Sequence, residues 1–120
     1  MLFSRRGPGR ITPSEAYRLV RDRTAALLDV READEYQAGH APGALHVPLS
    51  RLAAAGADTP GSRDGHSLVL ICRSGKRSRQ AARLLAERGV EAVDVTGGMI
   101  AWAEEGLPVQ DAHGQAGTVI

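Results

Sequence analysis

Residues 67–89 read SLVLICRSGKRSRQAARLLAERG, and the order of their three parts decides the fold. Ser67 to Ile71 is a run of Leu, Val and Ile without polar alternation, the pattern of a strand covered on both faces. After Ser78 the apolar residues change to helical spacing: Ala81, Leu84 and Leu85 fall on one face and Gly89 supplies the stop signal. Between the two lies CRSGKRS, which puts Cys72 at the carboxyl end of the strand. Strand, short loop and helix in that order belong to a parallel α/β sheet. Such sheets bind their ligands at the carboxyl ends of the strands, where Cys72 stands.

The flanking sequence repeats this alternation. Downstream, Val90 to Val95 reads as a strand, Gly97-Gly98 as a turn and Met99 to Glu105 as a short helix before Gly106 and Pro108. Upstream, Ile11 opens a short edge strand. Thr12 or Ser14 caps a helix reaching about Arg23, with Ala16, Leu19 and Val20 at helical spacing and Glu15 near its positive end. Ala25 to Val30 is a second buried strand. Glu32 to Gln37 forms a helical turn stopped by Gly39, and Ala44 to Val47 a short strand between Pro42-Gly43 and Pro48. Ser50 caps a helix through about Ala55, and Gly56 to Gly65 is an exposed loop. The expectation is an α/β fold: one domain over residues 11–109, with a mainly parallel five-stranded sheet and helices on both faces. Residues 1–10 are expected as a flexible lead-in and residues 110–120 as a flexible tail.

Composition narrows the function classes. A chain of 120 residues suits one domain with one core. A net charge of +1 gives no argument for a nucleic-acid surface. Lys76 is the only lysine among fifteen basic residues, a skew of the kind a coding bias leaves. With one cysteine no internal disulfide forms, which fits a reducing, cytoplasmic setting. No apolar stretch approaches the roughly 20 residues of a membrane span, and the start has no signal-peptide pattern.

The loop carries the chemistry. A thiol attacks only as the thiolate, and a free cysteine with a pKa of about 8.5 is mostly protonated at neutral pH. Arg73, Lys76, Arg77 and Arg79 follow Cys72, and so does a helix whose amino terminus carries about half a positive charge. Gly75 lets the loop curl so that backbone N–H groups converge into an anion-binding concavity. From residue types alone a second reading stays open: Cys72 as a small buried residue ending a core strand, beside a solvated basic face.

Three segments resemble the signatures of the rhodanese family: DVREADEYQAGHAPGALHVPL from Asp29, CRSGKRS from Cys72 and VTGGMIAWAEEGLPV from Val95. They occur in the family's order and, together with their surroundings, span about Thr12 to Val109. The resemblance implies a sulfurtransferase in which Cys72 takes a sulfane sulfur from a small anionic donor such as thiosulfate and passes it on as a persulfide. The acceptor implied is external: a thiol such as thioredoxin or glutathione, or cyanide. No metal or organic cofactor is implied. By the same resemblance the backbone N–H groups of Arg73, Ser74, Gly75, Lys76, Arg77 and Ser78 hold the persulfide, while Arg73, Lys76 and Arg77 attract the donor. Ser78 has a second reading as the helix N-cap, and Arg79 one as a solvent-facing residue. Asp29, Arg31 and Glu35 match family positions expected to form a supporting ion-pair network. His40 is expected to orient its turn, and Trp102 to anchor the last helix. His46, His66 and His113 lack the spacing and partners of a metal site.

Two rivals remain at this point. A cysteine phosphatase or arsenate reductase also sets a cysteine and an arginine on an anion-binding loop, but family phosphatases place five residues between them, whereas Cys72 and Arg77 have four. A non-catalytic rhodanese-like module that binds a partner is the other, and such modules typically lack the cysteine.

Overall fold

The computed structural model describes residues 9–54 and 67–120. Five strands, β1 (Arg10–Ile11), β2 (Ala25–Asp29), β3 (Leu45–His46), β4 (Ser67–Ile71) and β5 (Ala92–Val95), form one sheet in the order β1-β5-β4-β2-β3. Every pairing is parallel, and β4 sits at the centre, pairing Leu28 with Leu70 on one side and Leu70 with Asp94 on the other. The exposed loop expected over residues 56–65 lies outside the described residues, as do residues 1–8 and His66.

Strand side chains alternate, so each central strand feeds two cores. Leu28, Val30, Leu68, Leu70 and Cys72 face one side, where Leu52 from α3 (Leu49–Ala53) and Ala81, Ala82 and Leu85 from α4 (Lys76–Glu87) close over them. Leu27, Val69, Ile71 and Val95 face the other, under Ala16 of α1 (Pro13–Arg21), Tyr36 of α2 (Ala33–Ala38), and Met99 and Trp102 of α5 (Gly98–Glu104). Burying one such Leu or Ile side chain stabilises the fold by about 1.5–3 kcal/mol. Trp102 is buried and its indole N–H donates to the Pro108 carbonyl at 2.8 Å, which ties the end of α5 to the chain that follows.

Several boundaries differ from the sequence reading. Helix α1 is capped by Thr12 in a capping box with Glu15 and ends at Arg21 rather than Arg23. Helix α3 starts after Pro48, so Ser50 lies inside its first turn instead of capping it. Arg10 is not part of a loose lead-in: it pairs in β1 against Asp94, and its guanidinium grips the Asp94 carboxylate. Residues 110–120 carry more contacts than a frayed tail would. Gln110 exchanges backbone bonds with His40 (both 2.9 Å), and the Thr118 N–H donates to the Ala38 carbonyl (2.9 Å). Val119 packs against the second core. The small residues of this tail allow close backbone approach; a Cβ on Gly117 would sit 2.7 Å from the Gln110 backbone.

Candidate active site around Cys72

Cys72 follows β4 directly, and only Arg73, Ser74 and Gly75 separate it from the first residue of α4. Gly75 makes so short a connection possible. It adopts φ +102°, which L side chains rarely do, and a Cβ there would lie 2.7 Å from Arg10 Nη2. Its N–H points inward and donates to Cys72 Sγ at 3.1 Å. Gly75, not Ser78, is the N-cap of α4, and it brings no side chain to the helix's first N–H groups. Those groups have no acceptors within the helix, so the positive end of α4 is open toward the sulfur.

The outer side of the loop is held by α5. Its first-turn N–H groups, Met99 and Ile100, donate to the carbonyls of Cys72 (2.8 Å) and Arg73 (3.0 Å). In a trans peptide the N–H lies opposite the carbonyl, so these bonds turn the Arg73 and Ser74 N–H groups away from α5. Contact is close enough that a Cβ on Gly98 would collide with the Cys72 and Arg73 carbonyls.

Beneath the sulfur runs a polar chain that crosses the sheet edge. Cys72 Sγ lies 3.4 Å from Ser78 Oγ, and Ser78 Oγ lies 2.9 Å from Asp94 Oδ2. Arg10 Nε and Nη2 each reach the Asp94 carboxylate at 3.0 Å, and Nη2 also donates to the Gly75 carbonyl at 2.9 Å. The Arg10 guanidinium is held above its ordinary range by its hydrogen bonds to Asp94. Sequence reading passed over Arg10 and Asp94. An aspartate in a short buried strand, AVDV, was the available signal, because Asp is almost never fully buried unless paired.

The expected supporting network divides into two separate pairs. Asp29 and Arg31, both fully buried, are linked through Arg31 Nε and Nη2 (2.7 Å at the shortest), and Nη2 also donates to the Gly39 carbonyl at 2.6 Å. Among the described residues Arg31 Nη1 has no hydrogen-bond partner. Glu35 instead takes Arg77 in a two-pronged pair, 2.7 and 2.9 Å, joining α2 to α4. Arg77 and the Glu32 N–H hold the Glu35 carboxyl down at about 2, and Arg77 is raised in turn, chiefly by Glu35 and to a lesser degree by Cys72. Arg77 is thus committed to Glu35 rather than standing free for a donor anion. Arg73, Ser74, Lys76 and Arg79 are exposed, and Arg73 Nε donates to the Ile120 carbonyl at 2.9 Å. His40 is buried, stacked on Tyr36 (3.9 Å between centroids) with Nδ1 2.6 Å from the Tyr36 carbonyl. His46 stacks on the other face of Tyr36, and His113 lies exposed near the end of the chain.

A family model described as rhodanese-like domain matches residues 12–105. The chain is 35% identical over 106 residues to a thiosulfate sulfurtransferase, GlpE, of Actinobacillus succinogenes, covering 87% of this chain and 92% of that protein. It is 37% identical over 103 residues to an HTH-type transcriptional regulator of Mycobacterium tuberculosis, covering 84% of this chain but only 44% of the regulator. Among solved structures, a rhodanese-related protein of Thermoplasma volcanium superposes with a TM-score of 0.72 at 30% identity, over 84% of this chain and 96% of that one. No helix among the described residues is long and apolar enough to cross a membrane. The family match, the sulfurtransferase relative of nearly the same length and the superposition agree: the chain belongs to the rhodanese-like family.

Proposed function

We propose that this chain is a sulfurtransferase that carries sulfane sulfur as a persulfide on Cys72. The observation that supports this best is the Gly75 N–H on Cys72 Sγ at 3.1 Å, at the uncapped amino end of α4, because that arrangement favours an anion on the sulfur. In the first step the Cys72 thiolate attacks the outer sulfur of a small anionic donor such as thiosulfate. The donor's S–S bond breaks, sulfite leaves with the bonding pair, and the new S–S bond is the Cys72 persulfide. In the second step a thiolate or cyanide attacks the terminal sulfur and Cys72 is returned as thiolate. Arg73 and Lys76, exposed at the loop, attract the donor. Asp29, Arg31, Glu35 and His40 hold the surrounding turns, and the loop N–H groups from Arg73 to Ser78 receive the charge of the persulfide. The chain has no second cysteine, so the sulfur leaves to an external thiol, of the kind that thioredoxin or glutathione provides in the cytoplasm.

The test is intact mass and sulfite release after incubation with thiosulfate, wild type against Cys72→Ser. A gain of one sulfur atom on the wild type alone is expected. No gain, with thiosulfate or with a low-molecular-weight persulfide, refutes the reading and favours a binding module instead.

A further inference from the structure

The polar chain under the sulfur has a direction. Asp94 is almost completely buried, and its carboxylate, gripped by Arg10, can only accept hydrogen bonds. Ser78 Oγ has one hydrogen, and at 2.9 Å from Asp94 Oδ2 that hydrogen is spent on the carboxylate. Toward Cys72, 3.4 Å away, Ser78 therefore turns a lone pair. A thiol S–H completes the series Cys72 to Ser78 to Asp94; a thiolate in the same place would face a lone pair until the hydroxyl turned and gave up Asp94. We infer that Asp94 is a positioning residue which, through the Ser78 hydroxyl, keeps the proton on Cys72 in the resting site.

The other charges around the thiol act the opposite way or cancel locally. Arg10 comes from β1 and Arg77 from α4, with Glu35 of α2 behind Arg77. Asp29 and Arg31 neutralise each other at the end of β2, Arg73 lies on the loop and Lys76 at the start of α4, both exposed, and α5 approaches with Gly98 and Met99, which carry no charge. Asp94 is thus the group that opposes the Gly75 N–H, and the balance between them sets the pH at which the nucleophile appears. The functional consequence rests on the proposed role of Cys72 in sulfur transfer, but the thiol chemistry can be measured without it.

The experiment is the pH–rate profile of Cys72 alkylation by iodoacetamide on the full chain. Asp94→Asn removes the charge and lets Ser78 turn its hydrogen to the sulfur. The rising limb is expected to move down by about one pH unit, equivalent to roughly tenfold faster alkylation at a fixed pH on that limb. In a Ser78→Ala background the same substitution is expected to produce less than about a third of that shift, since the hydroxyl carries the coupling. A limb unmoved by Asp94→Asn, or a shift equally large without the hydroxyl, overturns the inference. If Asp94→Asn does not fold, Ser78→Ala alone takes its place: with the hydroxyl that accepts from the thiol gone, the limb is expected to move down, and an unmoved limb overturns the inference. Persulfide formation followed on the same samples separates the two claims. A shifted limb without persulfide removes the sulfur-transfer reading and leaves the role of Asp94 standing; persulfide with an unmoved limb does the reverse.

Discussion

Glu35→Gln tests whether the bridge between α2 and α4 holds the loop helix in place. The substitution keeps the volume and one acceptor oxygen but removes the charge that the Arg77 guanidinium grips at 2.7 and 2.9 Å. An exposed ion pair is worth about 1 kcal/mol or less. Here the Glu35 side chain is 15% exposed and that of Arg77 35%, so solvent screens the pair in part, while its two-pronged geometry strengthens it. A loss of about 1–2 kcal/mol at pH 7 is the expected result, from hydrogen bonding to a charged group. The pH dependence is the sharper readout. The folded-state value is depressed from an ordinary 4.5 to about 2, first by Arg77 and then by the Glu32 N–H. A depressed carboxyl gives stability that is fully present above 4.5 and is lost as the pH falls toward 2. Urea unfolding of wild type and variant at pH 7, 5, 4 and 3 should therefore show a difference that is constant down to about pH 5 and then shrinks steadily. A gap that stays the same at pH 3, or that is absent at pH 7, refutes the assignment of the stability to this pair.

Two further predictions concern its neighbours. Asp29→Asn leaves the fully buried Arg31, one of whose nitrogens has no hydrogen-bond partner among the described residues, without its counter-charge; the expected cost is about 3–5 kcal/mol by urea unfolding, and a loss under about 1 kcal/mol would show that the pair is dispensable. Lys76→Ala removes an exposed cation at the loop and should raise the KM for thiosulfate roughly two- to fivefold at low ionic strength, with the difference fading at high salt; an unchanged KM at low salt excludes Lys76 as an attractor of the donor.

What was legible in the sequence was local. The apolar run Ser67–Ile71 and the helical spacing after it gave β4 and α4, and the same contrast of periods gave β2 and β5. Cys72 at the strand end followed at once. Helix starts were less secure, because Ser50 and Ser78 carry the usual capping hydroxyl while the chain begins these helices after Pro48 and Gly75. Gly75 caps by conformation, at a positive φ that no side-chain preference announces. Residues 110–120 were misread for a related reason: glycine and other small residues suggest looseness, yet here they let the backbone pair with His40 and Ala38.

The loop's shape depends on residues that its own sequence does not contain. CRSGKRS supplies a thiol, a flexible glycine and cations, and a strand-end loop of that composition could aim its N–H groups in several directions. The aim comes from afar: Met99 and Ile100 pull two carbonyls outward, Gly98 lets α5 come close enough to do so, and Arg10 holds the Gly75 carbonyl from the opposite edge. The same Arg10 fixes Asp94, which commits Ser78, which faces the sulfur. Residues separated by 84 positions in the chain therefore act on one thiol, and they meet only because β1 and β5 pair in parallel. Weakening that pairing at the sheet edge would reach the nucleophile before it reached the core, since Arg10 is partly exposed on the edge strand while Leu70 and Ile71, beyond β5 in the central β4, are fully buried.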